Sequence, residues 1–433
     1  MATQTSIIDR GLARLSASVM LRQGALVFAA TMVLNLGGFV FHAIASRRLG
    51  VDDYGVLYAL ISICTIAAVP ATLAAPVIAR FAAEFGVLHD ERHIRRLAVD
   101  MVRLFGSVGV LYVVLAFVAM GPVGGFLHVP AWSVPLAAVV GGGMLLSVAL
   151  RAVAQGTQDF GGFALSCLAD GTSKVAAVFV LTLLALGIFG GILGFAAGVF
   201  SGVIAVAAAL YRRYGGVGDL SIAYDWKRIA ISGLGSASLT LAGALMSSAD
   251  VVLVKHFFSA DQAGIYSAAS LGGKILLYFV GFVPTILLPQ ATQRHVRGER
   301  TRYALAACIA VLVAIAVTGL IALKFFGLLL LHALVGHAFD AAAALLLPYS
   351  VAMVFLSISG VLGSYGIATH RIAFAAPLIA GTGATLLSVL FFHISLAQVV
   401  EVLVVGNAVT ALAVAIAIVW QGIGGQRSAP ASA

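Results

Sequence analysis

Four ionisable residues lie inside strongly apolar stretches of this 433-residue chain: Asp170, Lys174, Asp250 and Lys274. In a membrane each would cost on the order of 2.5–3.5 kcal/mol near the bilayer centre, so each needs a partner or a purpose. Such groups can bind an ion, relay a proton or hold a polar substrate in transit. Asp170 falls about ten residues into its apolar segment, a depth of roughly 15 Å at 1.5 Å per residue. Lys174 is its i+4 neighbour on one helical face, so the two charges can pair. Asp250 and Lys274 flank a turn centred near Asp261 and stand at similar depth on adjacent segments, where they could meet. For both sets, an ion pair that only holds helices together and a role on a water-filled cavity wall remain open.

Three arginines, Arg22, Arg80 and Arg151, stand at segment ends on one side. They either anchor to headgroups or line a cavity open to that side. The planar fork of the guanidinium suits a diphosphate. His42 sits near the other end of its segment and reads as a helix-end residue with a local partner. His332 and His337, in "LLLLHALVGHAFD", read as facing water. No metal ligand set is assigned.

The elements that carry these residues follow from composition. Hydrophobic residues make up 62% of the chain and charged residues 9%, with a mean hydropathy of +1.10. A soluble domain needs roughly a quarter of its residues charged. Apolar runs long enough to cross a hydrocarbon core of about 30 Å recur from end to end. They predict about twelve transmembrane helices, near 24–46, 55–79, 98–120, 132–152, 160–187, 190–211, 229–254, 265–288, 303–325, 343–366, 372–392 and 398–420. Residues 1–23 read as an amphipathic surface segment rather than a signal peptide, and residues 421–433 as a disordered tail. Loops near 80–97, 212–228 and 289–302 are too short to fold alone.

Basic residues fix the expected orientation. Of 25 lysines and arginines, 19 fall on the side of the N-terminus, Arg47, Arg48, Lys255 and Lys324 on the other, and Lys174 and Lys274 within segments. The positive-inside rule then puts both termini in the cytoplasm of a cell with this protein in its inner membrane. The net charge of +9 is spread in short clusters between apolar runs, without the aromatic-interleaved stripe of a nucleic-acid binder.

The two halves repeat one another. "LGVDDYGVLYAL" (49–60) follows the first segment and "FSADQAGIYSAA" (258–269) the seventh, aligning Asp52 with Asp261, Gly55 with Gly264 and Ala59 with Ala268. Pro76 and Pro284 hold nearly matching places further on. An even number of segments separates the copies, so they share an orientation and predict two six-helix lobes, 24–213 and 214–420, related by an axis along the membrane normal. Gly194, Gly198 and Gly202 form a small-residue face for close helix contact. The repeat equivalents of Asp250 and Lys274 are the uncharged Phe41 and Thr65.

Catalytic signatures are absent: "GGKILL" lacks the Ser or Thr of a phosphate loop, and Cys64, Cys167 and Cys308 are isolated in apolar runs. No enzyme and no cofactor is expected. "RRLGVDDYGVLYAL", "RAVAQGTQDFGGFAL" (151–165), "SSADVVLVKHFFSADQAGIYSAASLGGK" (247–274) and "PTILLPQATQR" (284–294) together resemble the polysaccharide-transporter branch of the multidrug/oligosaccharidyl-lipid/polysaccharide (MOP) flippase superfamily. By that resemblance Asp250, Gly264, Tyr266 and Lys274 match the family pattern in the seventh and eighth segments, and Arg151, Gln155 and Gly156 match the fourth-segment exit.

The resemblance implies an all-α, two-lobed flippase that moves a polyprenyl-diphosphate-linked oligosaccharide outward by alternating access, for O-antigen or exopolysaccharide assembly. Implied partners are that lipid-linked substrate, membrane lipids, H⁺ or Na⁺ as coupling ion, and a polysaccharide polymerase with glycosyltransferases. Alternatives are a cation-coupled small-molecule exporter of the same superfamily, an integral-membrane glycan polymerase or ligase, and a non-transporting scaffold.

Overall fold

In hydrocarbon every backbone N–H and C=O must find its partner within its own segment, which leaves the helix as the way to span for a chain of this composition. The computed structural model describes the backbone of residues 2–88, 90–215, 234–280, 302–369 and 372–427, and almost all of it is helical. Side chains are described over 26–88, 90–215, 237–280, 303, 305–369 and 373–421. The helices are α1 (Ala2–Ala67), α2 (Val69–Val87), α3 (Glu91–Leu127), α4 (Ser133–Gly156), α5 (Phe160–Leu183) and α6 (Gly187–Tyr214) in the first half. The second half holds α7 (Leu234–Phe257), α8 (Ala260–Val280), α9 (Arg302–Leu334), α10 (Ala343–Ala368), α11 (Ala375–Phe391) and α12 (Leu396–Arg427).

The long α1 is two spans. Gly50 has φ +77° and ψ −177°, a left-handed-side conformation open to glycine without a Cβ penalty, and there the chain reverses. In a straight helix His42 and Tyr58 would stand about 24 Å apart, yet their rings lie 5.1 Å apart. Ten described helices are long and apolar enough to cross a membrane, counting 26–67 once. Dividing it at Gly50 and adding the shorter apolar α11 gives the expected twelve. Their outer faces carry large apolar side chains such as Phe28, Val118, Leu329 and Trp420, which water would not tolerate in such number. The protein is an all-α polytopic membrane protein.

Several boundaries move. α3 extends from Glu91 to Leu127, well beyond 98–120, and the expected 80–97 loop shrinks to the few residues around Asp90. The reason is a cap: the Asp90 carboxylate accepts from the His93 N–H at 3.1 Å and starts the helix. That backbone bond also holds the Asp90 carboxyl below the usual aspartate range. α1 already runs through residues 2–23, and α12 continues to Arg427, past the start of the expected tail. All of the loop at 289–302 but Arg302, most of 212–228 and Pro284 lie outside the described residues.

The two halves meet at their repeats. A Cβ on Gly55 would stand 2.7 Å from the Gly264 nitrogen and 3.0 Å from the Ala260 carbonyl oxygen; a Cβ on Gly264 would strike the Val51 carbonyl oxygen. Val51 and Ala260 are themselves repeat equivalents, so the contact is reciprocal, as a two-fold axis between lobes requires. Glycine is needed at both places because backbone meets backbone. Arg47, next to the same seam, donates to the carbonyls of His332 (2.7 Å), Ala333 (2.7 Å) and Leu334 (3.3 Å) at the end of α9. On this side the halves are shut.

Candidate functional site

Beyond that seam, away from Gly50, a cavity of about 360 Å³ opens between the halves. Its wall is built from α1, α4, α5, α6, α7 and α8 and includes His42, Tyr58, Arg151, Asp170, Lys174 and Lys274. Four of the seven candidate residues, Arg151, Asp170, Lys174 and Lys274, therefore converge on one space.

Asp170 is the hub. Its Oδ2 accepts from Arg151 Nη2 at 2.9 Å, and Lys174 Nζ stands 3.0 Å from its Oδ1. Helical spacing accounts for Lys174; Arg151 arrives from α4, oriented by Nε donating to Ser166 Oγ at 2.8 Å. Ser166 in turn donates to the Gly202 carbonyl at 2.7 Å, which ties the group to α6. α6 admits these side chains because its facing positions are glycine: a Cβ at Gly198 would stand 2.6 Å from Lys174 Cβ, and one at Gly202 2.8 Å from Arg151 Nη2. Lys174 also lies over the Phe195 ring, 4.6 Å from its centroid. All three charged side chains are at most 15% exposed.

Lys274 does not meet Asp250. It crosses the gap between halves, with Nζ 3.3 Å from Tyr58 Oη and 5.3 Å from that ring's centroid. In place of an Asp250–Lys274 pair there is a lysine aimed into the cavity and an aspartate buried behind it. Three cations against one carboxylate leave the wall net positive by two charges, at a site where low dielectric magnifies charge. His42 adds a ring whose Nδ1 lies 3.3 Å from Tyr54 Oη, the local partner expected for it.

Asp250 is fully buried and is not part of the cavity wall. Its Oδ2 accepts two hydrogen bonds of 2.8 Å, from Tyr266 of α8 and Tyr349 of α10. Ser270 Oγ donates to Tyr349 at 3.0 Å and orients it. Oδ1 has no partner among the described residues. The repeat-equivalent position holds Phe41, packed edge-on against Phe195 at 5.6 Å.

The remaining candidates fall elsewhere. Arg80 is exposed on α2 and absent from the cavity wall. Arg22 lies on α1, its side chain outside the described residues. Lys255, counted from sequence on the same side as Arg47 and Arg48, is only 1% exposed, with Asp52 as its electrostatic neighbour. Tyr58 and Tyr349 carried no sequence signal: a tyrosine in an apolar run reads as core until the fold shows what its hydroxyl touches.

This architecture has solved counterparts. Over 94% of this chain and 99% of the other, it is similar to the inward-facing conformation of a multidrug resistance MATE family transporter of the MOP superfamily, with TM-score 0.72 and 13% identity. An outward-facing conformation described in the same words gives TM-score 0.61 and 14% identity over 93% of this chain and 94% of the other. The lipid II flippase MurJ in an inward closed conformation gives TM-score 0.64 at 11% identity, over 93% of this chain and 87% of that one. No protein-family model and no curated protein matches the chain. At these identities the likeness shows the fold alone: the two-lobed transporter fold shared by multidrug exporters and a lipid flippase.

Proposed function

We propose that this protein is an alternating-access transporter that exports an amphiphilic anion, with the lobes 24–213 and 214–420 rocking about the cavity. The observation that carries the reading is the wall formed by Arg151, Lys174 and Lys274 around a single carboxylate, beyond a seam shut by Gly55 and Gly264. Among the compared structures multidrug transporters predominate, which supports a cation-coupled small-molecule exporter over the oligosaccharide flippase expected from sequence. The cavity's charge asks that its cargo be negative. Protonation or cation binding at Asp250 or Asp170 would reset the cycle, since a change of charge there alters the balance between lobe arrangements.

In this reading both termini are cytoplasmic, by the bias of basic residues. The Gly50 side then faces out, and the greater likeness to the inward-facing conformation (TM-score 0.72 against 0.61) agrees with a cavity accessible from within.

A second reading keeps the lipid-linked oligosaccharide as substrate. It is favoured by the same three cations, which suit a diphosphate, and by the likeness to a lipid II flippase. The polyprenyl tail would stay in lipid beside the gap between lobes.

Reconstituted vesicles separate these. An anionic fluorescent amphiphile, a cationic dye and a polyprenyl-diphosphate saccharide are each followed across the bilayer under a proton or sodium gradient. Export of the anion, weakened in Lys274→Met, supports the first reading. Movement of the lipid-linked saccharide alone selects the second, and export of the cationic dye alone overturns the argument from charge.

A further inference from the structure

Away from the cavity, the short turn His337–Ala342 brings three potential ligands together at the end of α9. Gly336, at φ +93°, reverses the chain after α9 and sets His337 back beside His332, their ring centroids 3.8 Å apart. Asp340 follows, its Oδ1 2.6 Å from His332 Nε2. One ligand atom from each of the three residues lies within 4.8 Å of the others. We propose that His332, His337 and Asp340 form a binding site for a divalent transition-metal ion of the zinc class.

Two imidazoles and one carboxylate are a donor set that zinc and its neighbours favour. Tetrahedral ligands at about 2.0–2.1 Å from zinc stand roughly 3.4 Å apart, so modest side-chain rotation closes the set. His337 and Asp340 are exposed, which leaves the fourth position to water. The nearby cation, Arg47, is turned onto the carbonyls of residues 332–334, where the negative end of α9 offsets its charge.

The placement gives the ion a consequence. The same turn buries Phe339 completely, and its ring meets Tyr54 of the first half at 5.4 Å. His332 also contributes one of the carbonyls that Arg47 holds. A metal joining His332 to His337 and Asp340 staples the turn to α9, and so fixes both surfaces that the first half grips when this side is shut. The ion acts as a clasp on the closed seam.

Zinc alone, and cobalt as its visible probe, test this on the intact purified protein. One equivalent of either ion binds, and cobalt develops the absorption of an imidazole–carboxylate site. His337→Ala and Asp340→Asn each weaken binding at least about 100-fold, the upper end of what loss of an outer partner costs. His393→Ala, a control elsewhere, leaves it unchanged. Spin labels at Trp132→Cys and Ser259→Cys, one on each half at this side, then report the seam: zinc narrows their distance distribution toward the shorter separation, and not in His337→Ala. No stoichiometric binding, or binding indifferent to both variants, overturns the site. Binding that leaves the label distances unchanged overturns the clasp.

Discussion

Among the described residues each half buries one aspartate inside a span, and the two are treated in opposite ways. Asp170 is held by two cations, Arg151 and Lys174, on a wall that reaches open space. Asp250 has no cation within ion-pairing distance among the described residues; two tyrosine hydroxyls serve one of its oxygens and nothing serves the other. The first arrangement offsets the carboxylate with two cations at ion-pairing distance. The second leaves a carboxylate hydrogen-bonded by two tyrosines, with Lys274 acting on it electrostatically from beyond ion-pairing distance. The first lies on the wall of the cavity and the second is sealed away from it.

That contrast can be broken by mutation. Asp170→Ala strands Arg151 and Lys174 facing one another, and removing one member of a buried ionic group costs about 3–5 kcal/mol; thermal unfolding in detergent measures it. A loss below 1 kcal/mol there means that water already screens the cluster. Tyr349→Phe takes one of two charge-assisted hydrogen bonds from Asp250 and should cost about 1.5–3 kcal/mol by the same measurement. Arg151→Met should cost less than Asp170→Ala, because Lys174 still neutralises the carboxylate; equal losses mean that the guanidinium alone carries the cluster. The smallest structural effect belongs to Asp250→Asn, which keeps an acceptor for both tyrosines and should change stability by under about 1 kcal/mol. It should nevertheless abolish gradient-dependent transport without lowering membrane expression. Unchanged transport in that variant removes Asp250 from coupling.

Much of the site was legible in sequence, and unevenly. Asp170 and Lys174 are joined by the helical period, so their pairing needed no tertiary information. Arg151 was visible as a helix-end arginine of the right chemistry, but its meeting with Asp170 depends on how α4 lies against α5. Lys274 misled because depth alone cannot tell which way a side chain points: it faces Tyr58 across the seam, 216 residues away in sequence, instead of Asp250 on the next helix.

The sequence alone determined that the chain is built of apolar helices of membrane-crossing length, and it carried the repeated motif. Hydrocarbon imposes helices of a given length, and a duplicated motif such as Asp52–Gly55 and Asp261–Gly264 persists as a pattern whatever surrounds it. Only the tertiary structure decided which charges share a space and which stand alone. Those pairings join residues on different helices, where the azimuth of each helix and the closeness allowed by glycine at Gly55, Gly198, Gly202 and Gly264 set the contacts.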